Sequence, residues 1–185
     1  MSLPVTVDKI APLERKDFDL SEKDYYFLFL FDFNSTISRK TPVAVIRAFQ
    51  RAFPKEKQET VKLVIKISHV KESNLGYQQI MHAASLDSRI QLFAETLRRS
   101  EVLALYRCCN CFVSLHRAEG FGSGLAEALL LNLQVEATGY SWNLDFCIDD
   151  RVALVRYNLV PVGQREYFMR KVNFGQIRTL NMRQP

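Results

Sequence analysis

Glycine, histidine and tryptophan are scarce in this chain of 185 residues, which holds seven, three and one of them. No apolar run is long. The longest, Tyr25 to Phe31, is stopped by Asp32, far short of the roughly 20 residues a membrane-spanning helix needs. No signal peptide is visible, because Lys9 precedes a mixed stretch rather than an apolar one. Low-complexity tracts are missing. Cysteine is limited to Cys108, Cys109, Cys111 and Cys147. Cys108 and Cys111 have CxxC spacing, but neither a second such pair nor a paired histidine motif completes a zinc site. The cysteines therefore read as buried free thiols in a reducing compartment. The expected location is cytoplasmic, with peripheral membrane association left open for a full-length protein. What is present is ordinary: 48% hydrophobic and 24% charged residues, the composition of a globular domain and not of a disordered chain. A domain of this size buries enough surface to fold without disulfides or metal.

The net charge of +5 is unevenly spread. Residues 151–185 carry seven Lys/Arg against one Asp/Glu, leaving 18 basic and 19 acidic residues before them. The basicity belongs to the C-terminal segment and not to the body of the domain. A nucleic-acid-binding fold would place it on its main elements, so no nucleic-acid partner is expected.

Along the chain, residues 1–22 are polar and irregular, with Pro4 and Pro12. They read as a linker or N-terminal extension that contributes no core element. Tyr25–Phe31 is too continuously apolar for a surface helix and reads as a strand buried on both faces. After a polar loop over 32–40, Thr41 as N-cap and Pro42 at the first helical position open a helix. Val43, Ile46, Phe49 and Phe53 give it an apolar face, and Pro54 closes it. Further strands are predicted at 61–67, 90–94, 111–115, 133–138 and 152–155. Helices are predicted at 74–84, from a Ser100 cap to about Cys108, and from Gly122 or Ser123 to Leu131. Such alternation implies a doubly wound, Rossmann-like α/β fold with a parallel sheet. The domain is placed at 23–165 and a basic segment at 166–185. In such sheets ligands bind beyond the carboxyl ends of the strands.

One of those ends is unusual. After the strand ending at Leu115 comes His116-Arg117-Ala118-Glu119-Gly120-Phe121-Gly122-Ser123-Gly124, and then a helix. Three glycines in a strand-to-helix turn allow positive φ and close backbone approach. They lead to free N–H groups at a helix N-terminus, which attract anions. The dinucleotide fingerprint G-x-G-x-x-G fails, since its third glycine would be Leu125 or Glu127. The P-loop lacks its Gly-Lys-Ser/Thr ending, and the nucleophile elbow has Phe121 in place of its first glycine. Ser114 and His116 lie together at the strand end, so a Ser/His/Asp triad stays open on spacing alone.

Two glutamates remain, Glu119 and Glu127, in E-x7-E spacing. With Ser114 to Gly122, Gly124 to Ala128, Ala137 to Phe146 without Trp142, Phe31 to Ser35, and Arg39-Lys40, the order of motifs resembles the second domain of retaining GT-B glycosyltransferases. These form the group known as group 1 or family 4, and the resemblance covers roughly residues 10–165. It implies a nucleotide diphosphate sugar as donor, bound without a metal or other cofactor. It implies hexosyl transfer in which the departing phosphate takes the acceptor proton, so that no protein nucleophile is needed. By the same resemblance Glu119 binds a hydroxyl of the donor sugar and Lys40 neutralises the diphosphate. Glu127 accepts hydrogen bonds from the ribose. Gly120, Phe121, Gly122 and Ser123 line sugar and phosphate, and His116 and Tyr140 complete the donor site. The expected partners are the donor, an N-terminal acceptor-binding domain of the same protein, and a saccharide or lipid-linked acceptor. This chain by itself is expected to be nearly inactive.

The sequence departs from the group in four places. Relatives often carry Arg five positions before the lysine, where Ser35 stands here; Arg39 is the candidate replacement. Trp142 occupies a place usually small, where it would narrow the donor site, stack on a ring or pack on Tyr140. Gln134 replaces a common proline. Glu136 sits in a strand expected to be buried, with no partner that the sequence names. The adjacent Asp149 and Asp150 lie after the expected site and suggest no metal. Two other readings stay open, a non-catalytic nucleotide-binding module and a nucleic-acid-binding protein acting through the basic segment.

Overall fold

The computed structural model describes residues 5–55, 59–70, 72–148, 150–160 and 176–179. Asp149 and most of the basic segment 166–185 lie outside these residues. Six parallel strands form one sheet: β1 (Tyr25–Asp32), β2 (Val61–Ser68), β3 (Ile90–Phe93), β4 (Cys111–Ser114), β5 (Gln134–Thr138) and β6 (Val152–Val155). Their order across the sheet is β3-β2-β1-β4-β5-β6. A separate antiparallel pair, β7 (Tyr157–Val160) and β8 (Gln176–Thr179), had no counterpart in the sequence pattern.

Side chains of the strands alternate between two apolar layers, as a pleated backbone requires. Phe27, Phe29 and Phe31 of β1, Leu63, Ile65 and Ile67 of β2, and Val113 of β4 face one way. They pack on α2 (Pro42–Ala52) and α3 (Leu75–Ser85), through Ile46, Phe49 and Ile80 among others. Tyr26, Leu28, Val64, Phe112, Val135 and Ala137 face the other way. There they meet α4 (Arg99–Cys108) and α5 (Ser123–Leu130). The doubly wound expectation is met, and the four cysteines are free and buried. Burial pushes every one of these thiols upward, Cys147 to about 11, so none is a ready thiolate.

Several local expectations need correction. The segment before residue 23 does contribute to the core. Phe18 and Leu20 are buried in the α4–α5 layer. Arg15 bonds the carbonyls of Cys108, Ser21, Glu22 and Asp24 and lies over the Tyr26 ring. This segment also holds an Asp-x-Asp triplet, Asp17-Phe18-Asp19. Asp17 is spent on the backbone N–H of Glu14, at 2.8 Å, and Phe18 points into the core. The polar loop 32–40 contains a one-turn helix, α1 (Ile37–Lys40). Helix α4 begins after Arg98, whose N–H donates to Glu101 at 2.6 Å, so Ser100 is inside the helix and not its cap. Thr41 does precede Pro42, but in a left-handed conformation, and its hydroxyl donates to Leu115 O at 2.6 Å instead of capping α2. Among the described residues no helix is long and apolar enough to cross a membrane.

Glu136 is the one charge-bearing residue of β5, held between Val113 and Ala153 in the sheet register. It is only 8% exposed, and its Oε2 has no hydrogen-bond partner among the described residues. Burial alone raises its pKa from 4.5 to about 7, because an unpaired carboxylate loses its hydration there. The unfolded chain ionises first as pH rises, so stability falls between the two values and is flat above them. Compared with its effect near pH 4, Glu136→Gln should stabilise the protein by about 3 kcal/mol near pH 8, measured by urea unfolding at both pH values.

Candidate donor site at the sheet switch point

The chain runs from β1 outward to β2 and β3, then returns to pair β4 on the other side of β1. Loops leaving β1 and β4 therefore diverge to opposite faces and leave a crevice at the carboxyl edge. The β1 loop carries α1 with Arg39 and Lys40; the β4 loop carries His116 to Gly122.

The two loops are tied by main chain and side chain together. Arg117 N donates to Arg39 O at 2.8 Å, and the Thr41 hydroxyl reaches Leu115 O. Arg39 Nη1 donates to Ala118 O at 3.3 Å and to Glu119 Oε1 at 3.0 Å. Lys40 Nζ takes the other oxygen, Oε2. Both oxygens of Glu119 are thus held by cations, and its side chain is only 11% exposed. Burial pushes the Glu119 carboxyl up, but Lys40 and Arg39 outweigh it and bring it below its ordinary value. The Arg39 guanidinium rests on Ser35 Oγ, with Nη2 at 2.6 Å and Nε at 3.2 Å. Ser35, where the resemblance leads one to expect an arginine, is therefore the seat of Arg39, and the two neighbours in sequence point to one carboxylate rather than apart.

Of the three glycines, Gly122 alone has positive φ, at 84°, as the residue before α5. A Cβ at Gly124 would lie 3.1 Å from the Tyr106 hydroxyl and 3.3 Å from Phe112, so this glycine admits close packing of α5 on α4 and β4. Gly120 is exposed, with open space around it. Ser123 is the first residue of α5 and exposed; its N–H is among those a helix leaves without an internal acceptor. The Phe121 ring packs against Phe146. Glu127, one turn into α5, is paired with Arg99 of α4, Nη2 to Oε1 at 2.7 Å and Nη1 to Oε2 at 2.9 Å.

His116 is fully buried between the loops. Nε2 lies 3.2 Å from Tyr140 O, and Nδ1 lies 3.0 Å from Ser114 Oγ. A carbonyl only accepts, so Nε2 carries the proton and Ser114 donates to Nδ1. The third partner of a triad is thus a main-chain carbonyl, and the Ser/His pair is a structural tie. The Tyr140 ring packs edge-on against Tyr157, while Trp142 is 63% exposed.

Two participants were not read from the sequence. Ser141, at φ 84°, donates from Oγ to the carbonyl of Glu119 at 2.5 Å. Arg99 is the other; a basic residue opening the helix after β3 was its only signal. Among the described residues no three His, Cys, Asp or Glu side chains cluster in a way that could hold a metal ion.

The fold has counterparts among solved structures. The fold is that of a GT-B glycosyltransferase domain. A glycosyltransferase from Rickettsia africae superposes with a TM-score of 0.62 at 16% identity, over 77% of this chain and 36% of that one. The UDP-forming α,α-trehalose-phosphate synthase from Burkholderia xenovorans superposes at 0.60 and 12% identity, over 71% and 33%. An E. coli structure described as bound with UDP-2-fluoro glucose gives 0.60 at 10% identity, over 78% and 36%. This chain thus spans about a third of the length of the structures it matches. No family model and no curated protein matches it.

Burial lowers the His116 pKa below 6.5, more than its hydrogen bonds raise it. Nitrogen-15 NMR of the imidazoles should show His116 as the neutral Nε2–H tautomer near pH 6.5, becoming protonated only at lower pH.

Proposed function

We propose that this chain is the donor-binding domain of a retaining, group 1 (family 4) glycosyltransferase that transfers a hexosyl unit from a nucleotide diphosphate sugar. The observation that carries the reading is the meeting of Arg39, Lys40 and Glu119 at the switch point, on a fold shared with glycosyltransferases. Two cations and a carboxylate, beside a glycine-led helix N-terminus, match the chemistry of a diphosphate joined to a polyhydroxylated ring.

In this reading the donor exchanges partners with the site. The diphosphate takes over Arg39 and Lys40, and Glu119, released from them, accepts from a sugar hydroxyl. N–H groups around Phe121, Gly122 and Ser123 face sugar and phosphate, with Gly120 leaving the approach open. Glu127 accepts from the ribose. His116 and Tyr140 hold the walls through the Nε2–carbonyl bond. The bond from the anomeric carbon to phosphate oxygen breaks, and the acceptor oxygen bonds that carbon on the same face. The acceptor proton passes to the departing phosphate. Negative charge grows on the diphosphate in the transition state, where Lys40 and Arg39 act on it most strongly. No metal or other cofactor enters the proposal. The acceptor, a saccharide or a lipid-linked one, is bound mainly by another domain of a longer protein, in keeping with the one-third overlap with the matched structures.

Calorimetry with UDP, GDP, ADP and their sugars is the direct test. One of these nucleotides should bind, and Lys40→Ala should weaken it roughly tenfold or more, the worth of a charge-assisted hydrogen bond. Glu119→Gln should tighten inorganic pyrophosphate, because it releases two cations. In the complete gene product, Glu119→Ala and Lys40→Ala should abolish transfer while the circular dichroism spectrum is unchanged. Nucleotide binding with neither transfer nor hydrolysis would make the domain a non-catalytic module. Salt-dependent binding of RNA or DNA without nucleotide binding would overturn the reading.

A further inference from the structure

Resting on that reading, we infer that Arg99 is a positioning residue for nucleotide recognition, holding Glu127 so that its free lone pairs face the ribose hydroxyls. Glu127 is nearly enclosed, its side chain 11% exposed, while that of Arg99 is 55% exposed. The guanidinium takes one lone pair from each carboxylate oxygen, at 2.7 and 2.9 Å. A planar fork on a planar carboxylate fixes the rotation of the group as well as its place. Each oxygen keeps a second lone pair, and these lie in the carboxylate plane at angles the fork determines.

The rest of the α4–α5 contact supports the same assignment. Tyr106 lies two turns beyond Arg99 on α4, fully buried, stacked on Phe112 at 5.2 Å. Its hydroxyl donates to Gly124 O at 3.2 Å. Helix α4 therefore fastens the first turns of α5 at two points, Gly124 and Glu127, and Gly124 allows the approach by lacking a side chain. Tyr106 sets where the helix begins, and Arg99 sets how its carboxylate is turned. Helices α4 and α5 follow β3 and β4, so their first turns, and the fork between them, lie at the carboxyl edge of the sheet.

Two effects of Arg99 are separable. Its charge attracts any anion, pyrophosphate included. Its fork acts only on ligands that use Glu127. The readout is therefore the ratio of affinities for a ribonucleoside diphosphate and its 2′,3′-dideoxy counterpart. Calorimetry with UDP, GDP and ADP first identifies the nucleotide bound. The unaltered protein should prefer the ribo form by about tenfold or more, as expected for hydrogen bonds to a charged acceptor. Glu127→Ala should bring that ratio close to one. Arg99→Ala should reduce it to about threefold or less, and Arg99→Lys, with one donor point in place of a fork, should fall between. An equal loss for both forms in Arg99→Ala, with the ratio kept, would overturn the inference and leave only a charge effect. If Arg99→Ala does not fold by circular dichroism, the ratio in Arg99→Lys decides alone; an unchanged ratio there overturns the inference too. If the unaltered protein binds UDP, GDP and ADP no better than pyrophosphate, the donor-site reading itself fails and this inference with it. If it discriminates ribose and Glu127→Ala does not change this, the assignment of Glu127 fails while donor binding stands.

Discussion

Every strand of a parallel sheet delivers its loop to the same edge, and β1 lies between β2 and β4 in this one. That single adjacency determines which loops can meet at the carboxyl edge. It brings Lys40, at the end of one loop, against Glu119, 79 residues later in the middle of another. The core secures the adjacency. Strand β1 is buried from Tyr26 to Phe29 and packs its aromatic rings into both apolar layers. Moving β1 relative to β4 would expose aromatic surface worth several kcal/mol. The loops inherit that rigidity through Thr41, which gives up its capping bond to α2 and spends its hydroxyl on Leu115 across the crevice.

Three glutamates are withdrawn from water, and their partners separate them. Glu119 holds two cations and Glu127 one. Glu136 holds none among the described residues, and its carboxyl is shifted toward neutrality. A buried carboxylate without a partner lowers stability, whereas a paired one roughly offsets its own desolvation. The pairs at the edge therefore do little for folding, yet they keep charged groups ready in a low-dielectric site. There a ligand that replaces one partner by another meets interactions stronger than in water. On this ground the proposed site is assigned to the ion-paired Glu119 and Glu127, while Glu136, equally buried but without a cation among the described residues, is assigned no part in it.

The strands and most helices were legible because burial on two faces leaves continuous apolar runs, and helices on one face leave a 3.6-residue period. Tyr25–Asp32 shows this directly, whereas Val152–Val155, equally apolar in sequence, is an edge strand buried only at Val155. The β1-to-β4 adjacency was legible only as a fold class, since pairing partners are not written in either strand. Helix ends were less legible. Arg98 stands at the start of α4 without the side-chain oxygen that usually marks a cap, its N–H taken by Glu101, and Phe18 enters the core from a segment too polar on average to signal it. Glu119 and Glu127 stood out by spacing, and Lys40 by its place in the resemblance. Arg99 and Ser141 did not, because their roles are distances: 28 residues from Arg99 to Glu127 and 22 from Ser141 to Glu119. Nothing local distinguishes a solvated arginine from one that turns back onto a partner helix.

The site is built from both sides of the sheet. Arg39 and Lys40 belong to the loop that leads into α2, on one layer, whereas Glu127 and Arg99 belong to α5 and α4, on the other. A ligand that touches all of them bridges the layers across the carboxyl edge. Glu119 lies on the connection between, its carboxylate tied to the first group and its carbonyl pinned by Ser141 from the β5 loop. In the proposed reading, phosphate and ribose stand on opposite sides of Glu119, whose carbonyl is held by Ser141 and whose carboxylate would change partners. On that proposal, a bound donor would exchange the ion pairs of Glu119 through side-chain rotation, with the sheet, the helices and the loop backbone left in place. That is the arrangement preorganisation requires: the groups that hold charge move little, and the reorientation is confined to one carboxylate.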